Sequence, residues 1–167
     1  QLKARQSLAD GTRARETLLA DPNVYDRMAA AAVLGNFAAN DSTWWAVVAA
    51  MREREGGARD AADATLYTLG NTVSHDVDWA PAAADLHALL DGTNLPQLTM
   101  VMTQLSATGV GPALAKPLLQ GGGHGVLMYA AARQPIVHAV AIRFLRLVSG
   151  KDFGDDVGKW QAWIEGL

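Results

Sequence analysis

The amino-acid sequence predicts an all-α protein, an α-solenoid of about four stacked helical hairpins closed by a C-terminal, Trp-containing capping segment. Three observations predict it. The first is an internal repeat: Arg27, Ala29, Ala30, Ala32, Leu34 and Phe37 return as Arg59, Ala61, Ala62, Ala64, Leu66 and Leu69, every pair separated by the same offset. A constant period of that length, in the low thirties, is a signature of helical-hairpin repeats. The second is spacing, as in Trp44, Val47, Val48 and Met51, which puts apolar side chains on one helix face. The third is the stretch Pro135–Leu167. Ile136, Val140, Phe144, Leu147 and Val148 form a stripe there, and Val137, Ala141, Ile142 and Leu145 widen it until only His138, Arg143, Arg146 and Ser149 stay polar. A helix this apolar is covered on more than one side.

Residues 1–20 read as helix in two pieces. Leu2 and Leu8 precede a break at Asp10-Gly11, and Thr12 then caps a second piece carrying Leu18 and Leu19. Asp21-Pro22-Asn23 is a turn, and an Ala-rich helix runs from Asp26. Asp41-Ser42 caps the helix of Trp44 and Met51, whose wet end is Arg52-Glu53-Arg54-Glu55 and whose stop is Gly56-Gly57. The Arg59–Leu69 helix follows. From Leu66 the register carries onward, at somewhat longer intervals, to Leu105 and then Leu145, within Leu95–Ala107 and Pro135–Ser149. Outer helices are expected over Pro81–Leu90 and Pro112–Gln120. After a Gly121-Gly-Gly-His-Gly125 break, Gly125–Arg133 is one helix more than two-helix repeats require. It is either the second half of a broken outer helix or a shortened repeat wedged in.

This gives one repeat domain over 1–167, with repeat 1 at 1–40, repeat 2 at 41–72, repeat 3 at 80–108, an irregular repeat 4 at 111–149 and the cap at 150–167. Gly150 should end the last inner helix in a left-handed conformation. Val157, Trp160, Trp163 and Ile164 then return to helical spacing, laying two indoles over the end of the stack. The N-terminal cover is thinner, which suggests a preceding segment or a partner there.

Composition narrows the function. A chain of 167 residues can bury roughly two-thirds of its unfolded surface. It has no cysteine, which excludes disulfides, thiolate metal sites and cysteine nucleophiles. No apolar run approaches the length of about 20 residues that crosses a bilayer. Net charge is −3, unevenly spread: residues 60–115 carry Asp60, Asp63, Asp76, Asp78, Asp85 and Asp91 with no Lys or Arg. Nucleic-acid binding needs a basic footprint, so no nucleic-acid partner is expected. The acidic middle reads as a solvated face or as a docking face for a basic partner. A chain starting at Gln1 without Met and lacking cysteine favours a processed, exported protein over a cytoplasmic one, though a boundary within a longer chain would look the same.

No catalytic set emerges. Gly109–Lys116 lacks the glycine before the lysine and the following Ser/Thr of a phosphate loop. Asp152-Phe-Gly154 has none of the companion kinase motifs and belongs to the turn before the cap. Gly121–Gly125 reads as a flexible joint rather than an anion cradle. His75-Asp76-Val-Asp78 is the best metal candidate, but a hard cation wants six or more oxygens, and a polar loop with Asp78 capping the next helix is the simpler reading. His87 and His138 match no zinc spacing. No metal and no cofactor are implied.

The close of the chain resembles the C-terminal end of bacterial HEAT-repeat domains. The residues that carry this are an inner helix running through Leu147 to Ser149-Gly150, then Lys151-Asp-Phe-Gly154, then Trp160-x-x-Trp163. The likeness is close over this final stretch and holds for the rest by pattern. It implies HEAT-like hairpins and a non-catalytic protein–protein interaction scaffold that binds its partner along the concave side. On that surface Arg59, Asp63 and Tyr67 lie four apart on one stripe. His138 and Arg146 share another through Ile142, and Asp76, Asp78 and Trp79 come from the adjoining loop. Tyr67 and Trp79 fit packing between helices equally well. The alternative is a structural subunit or appended domain of a larger assembly. A remoter one, also from the resemblance, is a lyase or isomerase acting on bound tetrapyrroles with His87, His124 or His138 as acid or base.

Overall fold

Short side chains decide where helices of this chain approach one another. A computed structural model describes residues 2–53, 56–72 and 75–167, with side chains from residue 9 onward. The side chains of Leu2 and Leu8, and the residues Arg54, Glu55 and Val73, lie outside that description. Among the described residues all regular structure is helical, in ten α-helices, and the chain forms two compact units, Gln1–Val77 and Asp78–Leu167.

The first unit holds α1 (Leu2–Ala20), α2 (Val24–Leu34), α3 (Asp41–Ala50) and α4 (Gly56–Thr72). α1 packs on α2 and α3, and α4 packs on α2 and α3. α2 and α4 pack on each other, and their buried residues include Ala30, Ala31 and Leu34 on α2 and Ala58, Ala62, Leu66 and Leu69 on α4. Thr65 Oγ1 lies 2.9 Å from the Ala31 carbonyl oxygen across the contact and 2.8 Å from its own Ala61 carbonyl. α3 is buried almost all round, with Trp44, Val47 and Val48 out of solvent and the Trp44 indole donating to the Ala38 carbonyl at 2.8 Å. Arg27 donates to the Asp21 carbonyl at 2.7 Å and pairs with Glu53 at 3.1 Å, tying the start of α2 to the end of α3.

Several boundaries differ from the sequence expectation. α1 runs unbroken through Asp10-Gly11. Gly11 is a contact rather than a stop: a Cβ there would sit 3.0 Å from Cδ1 of Phe37, so its bare backbone makes room for that ring. Phe37 itself lies past the end of α2, whereas its repeat mate Leu69 is inside α4. Asn40, not Asp41-Ser42, is the N-cap of α3. α3 ends at Ala50, and Gly56-Gly57 opens α4 rather than stopping α3.

The second unit begins with Asp78, whose carboxylate accepts from the Ala80 amide at 3.1 Å and so opens a 3-10 turn, Ala80–Ala82. There follow α5 (Ala83–Leu90), α6 (Leu95–Ala107), a second 3-10 turn (Pro112–Leu114), α7 (Ala115–Leu119), α8 (His124–Ala130), α9 (Pro135–Ser149) and α10 (Val157–Glu165). α6 packs on α5 and α9, α7 on α5, and α8 on α9, α5, α6 and α10. The additional helix is therefore α8, split from α7 at the glycine run. That run is not a loose joint. Gly125 is buried, and a Cβ on it would meet the Gly92 carbonyl at 2.5 Å and the Leu90 carbonyl at 2.7 Å, because α8 starts directly against the α5–α6 turn.

α9 ends at Gly150 with φ +66°, the left-handed cap expected. Its buried stripe is Ala141, Ile142, Phe144, Leu145 and Val148. Ile136 is 79% exposed and Leu147 is 39% exposed, against expectation: Ile136 precedes the buried stripe, which begins at Ala141, and Leu147 lies beside it, between the buried Leu145 and Val148. In the tail, Trp160 is fully buried, stacks edge-on against Phe153 at 4.8 Å and donates to the Gly154 carbonyl at 2.9 Å. Trp163 is only half-buried, so a single indole is enclosed.

Gly125→Ala should lower the unfolding free energy by about 1–3 kcal/mol, because the added methyl meets two carbonyls that cannot move aside. Gly111→Ala, at φ −148° with nothing within 4 Å of the new Cβ, should leave stability unchanged or raise it by up to about 1 kcal/mol. Urea denaturation of the two variants measures the contrast.

Candidate functional site

The residues singled out in the sequence fall four in each unit. Arg59, Asp63, Tyr67 and Asp76 belong to the first. Asp78, Trp79, His138 and Arg146 belong to the second. On α4, the guanidinium of Arg59 bonds the Asp60 carboxylate at 3.1 Å. Tyr67 is 60% exposed, so it stands in solvent rather than between helices. Trp79 does the reverse. It is 1% exposed, and its indole donates to Thr108 Oγ1 at 2.9 Å, which in turn donates to the Gln104 carbonyl at 2.7 Å. Trp79 is a packing residue that closes the end of α6. Asp76 is exposed, and Asp78 is used in the turn that starts the second unit.

Three histidines are engaged by carboxylates. His75 Nε2 is 2.8 Å from Asp41 Oδ1, within the first unit. His124 Nδ1 is 2.5 Å from Asp91 Oδ1, and the His124 amide donates to the same oxygen at 3.1 Å. Hydrogen bonding from His124 is what holds the Asp91 carboxyl below its ordinary range, against the opposing effect of burial. The third, His138, is described below. The fourth histidine, His87, bonds the Leu118 carbonyl through Nδ1 at 3.0 Å. Among the described residues no three His, Cys, Asp or Glu gather as a metal set.

His138 and Arg146 tie α9 to the connection that precedes α10. His138 Nδ1 is 2.7 Å from the Ala130 carbonyl and Nε2 is 3.0 Å from Asp155 Oδ1. Arg146 Nε donates to Asp152 Oδ1 at 2.8 Å. A ring placed between two acceptors needs both nitrogens protonated, and a neutral imidazole carries only one N–H. The Asp155 hydrogen bond, then the Ala130 carbonyl, accordingly raise the His138 pKa, with burial opposing.

A groove in the second unit was not anticipated from the sequence. It encloses about 570 Å³ between the starts of α6 and α9 and the end of α8. Leu95 (48% exposed) and Met128 (44% exposed) stand open at its edge, with Pro96 and Val137 continuing the apolar lining. Tyr129 forms the floor, its hydroxyl donating to the Leu95 carbonyl and lying 3.1 Å from Thr99 Oγ1. Those polar atoms are therefore satisfied within the fold. Arg133 and Gln134, neighbours in sequence, both line it, and no Asp or Glu does. The signal available in the sequence was faint: Leu95-Pro96 and Pro135-Ile136 both put an apolar residue in a helix's first turn, where neighbours cover least.

Compared with protein-family models, curated proteins and solved structures, the chain matches none.

Because the folded-state pKa of His138 is raised above the ordinary imidazole value of about 6.5, its contribution to stability is complete below that pH. The contribution is lost as pH rises through the folded-state pKa. The denaturation midpoint should decline as pH rises from roughly 6 to 8, and His138→Gln should flatten that segment of the profile. An equal slope in the variant would assign the dependence elsewhere.

Proposed function

We propose that the chain is a non-catalytic interaction module of HEAT-like helical hairpins that binds a protein partner along an exposed face of α4. Support for the hairpin reading comes from the register. Arg27, Ala30 and Leu34 lie in α2 and their repeat mates Arg59, Ala62 and Leu66 lie in α4, and the two helices pack directly on each other. The observation that carries the functional reading is Tyr67. It stands 60% exposed, one helical turn from Asp63 and two from Arg59, on a helix whose adjoining face is buried at Ala58, Ala62 and Leu66. Tyr and Arg are the side chains that most often dominate contact energy in protein interfaces. Arg59→Glu combined with Tyr67→Ala should abolish co-purification of the partner from the native source while the helical circular dichroism stays unchanged. Retained co-purification removes the α4 face.

A second reading is a structural subunit that docks through the first hairpin, and it is favoured by Tyr25, Leu19 and Val33. These are 76%, 52% and 44% exposed on α1 and α2, two helices that pack on each other. If the acidic residues between Asp60 and Asp91 join such an assembly, light scattering should report dissociation as salt is raised from about 0.01 to 1 M, over which screening shortens from roughly 30 to 3 Å. A constant monomer mass at every salt concentration removes it.

A further inference from the structure

We propose that the groove between α6, α8 and α9 is a binding site for a free amphipathic monocarboxylate, an unbranched alkyl chain with one acidic head. Its capacity of about 570 Å³ lies within the range of roughly 300–1,000 Å³ occupied by small-molecule sites. Such sites pair a mostly apolar wall with a few polar groups that fix orientation, and this groove has that division. Leu95, Pro96, Met128 and Val137 supply the wall. The polar atoms deeper in, Thr99 Oγ1 and the Tyr129 hydroxyl, already serve each other and the Leu95 carbonyl. They ask nothing of a ligand and let an alkyl chain lie against the Tyr129 ring.

The head group follows from charge. Arg133 and Gln134 are both exposed and adjacent in sequence, and among the described residues neither side chain has a hydrogen-bond or ion-pair partner. A guanidinium beside a carboxamide presents several N–H donors, the set a carboxylate accepts in paired fashion. No acidic residue lines the groove to neutralise Arg133 or to attract a cation, in a chain whose net charge is −3. The charge left unanswered is positive, and the tail left unanswered is apolar.

The test uses the full chain carrying methionines labelled at the ε-methyl carbon. There are five methionines, and Met128 is the one in the groove. Titration with decanoate below its micellar concentration should shift the Met128 methyl resonance saturably at one equivalent while the other four stay in place. Arg133→Glu should weaken that binding by about 10-fold or more, since attraction becomes repulsion. Met128→Glu, which puts a carboxylate beside the tail, should abolish it, with circular dichroism unchanged because both side chains are exposed. Decylamine should not reproduce the shift. The proposal is overturned by no Met128 shift up to millimolar decanoate, by equal affinity in Arg133→Glu, or by equal binding of decylamine. It is also overturned if the Met128 resonance moves with protein concentration alone, which would mean a second copy fills the groove. None of these outcomes depends on Arg59 or Tyr67, so the α4 reading stands or fails separately.

Discussion

Close approach of backbones, permitted by Ala and Gly at the contact, is the constraint the rest of this structure depends on. In the first unit α2 and α4 pack on each other, with Ala30, Ala31, Ala58 and Ala62 all buried. Each such side chain contributes little apolar area by itself. What the small residues do is bring the helices near enough for Leu34, Leu66 and Leu69 to be covered completely, and for Thr65 to reach the Ala31 carbonyl. The Thr65 hydroxyl has one hydrogen and two carbonyls in reach, Ala61 of its own helix at 2.8 Å and Ala31 at 2.9 Å, so it is satisfied within α4 and adds a contact to α2. In the second unit the same role passes to Gly125, where α8 lies against the carbonyls of Leu90 and Gly92.

That constraint explains which parts of the fold were legible in the sequence. The repeat coincides with burial at Ala30 and Ala62 and at Leu34 and Leu66, whereas Ala29, Ala32 and Ala64 recur at exposed positions. Trp44, Val47, Val48 and Met51 were readable because helical periodicity and burial coincide there. Gly150 was readable because a helix end has one characteristic residue. Glycine misled where its use is packing rather than punctuation. Gly11 and Gly125 have the same local appearance as a breaker, and only the partner arriving from elsewhere, Phe37 or the α5–α6 turn, distinguishes the two uses. Caps shifted by a residue for a related reason: Asn40 and Asp41 are both competent, and the His75 side chain beside Asp41 belongs to a distant stretch of sequence.

The candidate sites were less legible because exposure is a property of the neighbours. Tyr67 and Trp79 are both aromatic residues near helix ends, yet one is in solvent and the other is enclosed with its indole bonded to Thr108. The difference lies in Thr108 and the end of α6, far from Trp79 in sequence. His138 and Arg146 were placed correctly on α9, but their carboxylate partners, Asp155 and Asp152, sit in the connection to α10. Two residues that read as contact surface therefore also hold the tail in place, so removing either perturbs the α10 segment before it perturbs any partner.

The groove is bordered by α8, one of two short helices into which the chain between Pro112 and Ala130 is divided. A continuous helix from Pro112 to Arg133 would extend about 30 Å at roughly 1.5 Å per residue, enough to run the length of α9. The glycine run divides it, and α8 is left with seven residues, about 10 Å long, against the fifteen residues of α9. α8 packs on α9, α5, α6 and α10: its Ala130 carbonyl meets His138 near the start of α9, and Gly125 at its other end lies against the α5–α6 turn. Leu95 in the first turn of α6 and Ile136 in the first turn of α9 stay exposed, at 48% and 79%. Filling that space with large side chains would have been the simplest way to stabilise this end of the unit. Instead the lining is open and free of acids, and it carries an arginine on its rim. This combination, an apolar wall with a cation at its edge, is complementary to an alkyl chain that carries an acidic head.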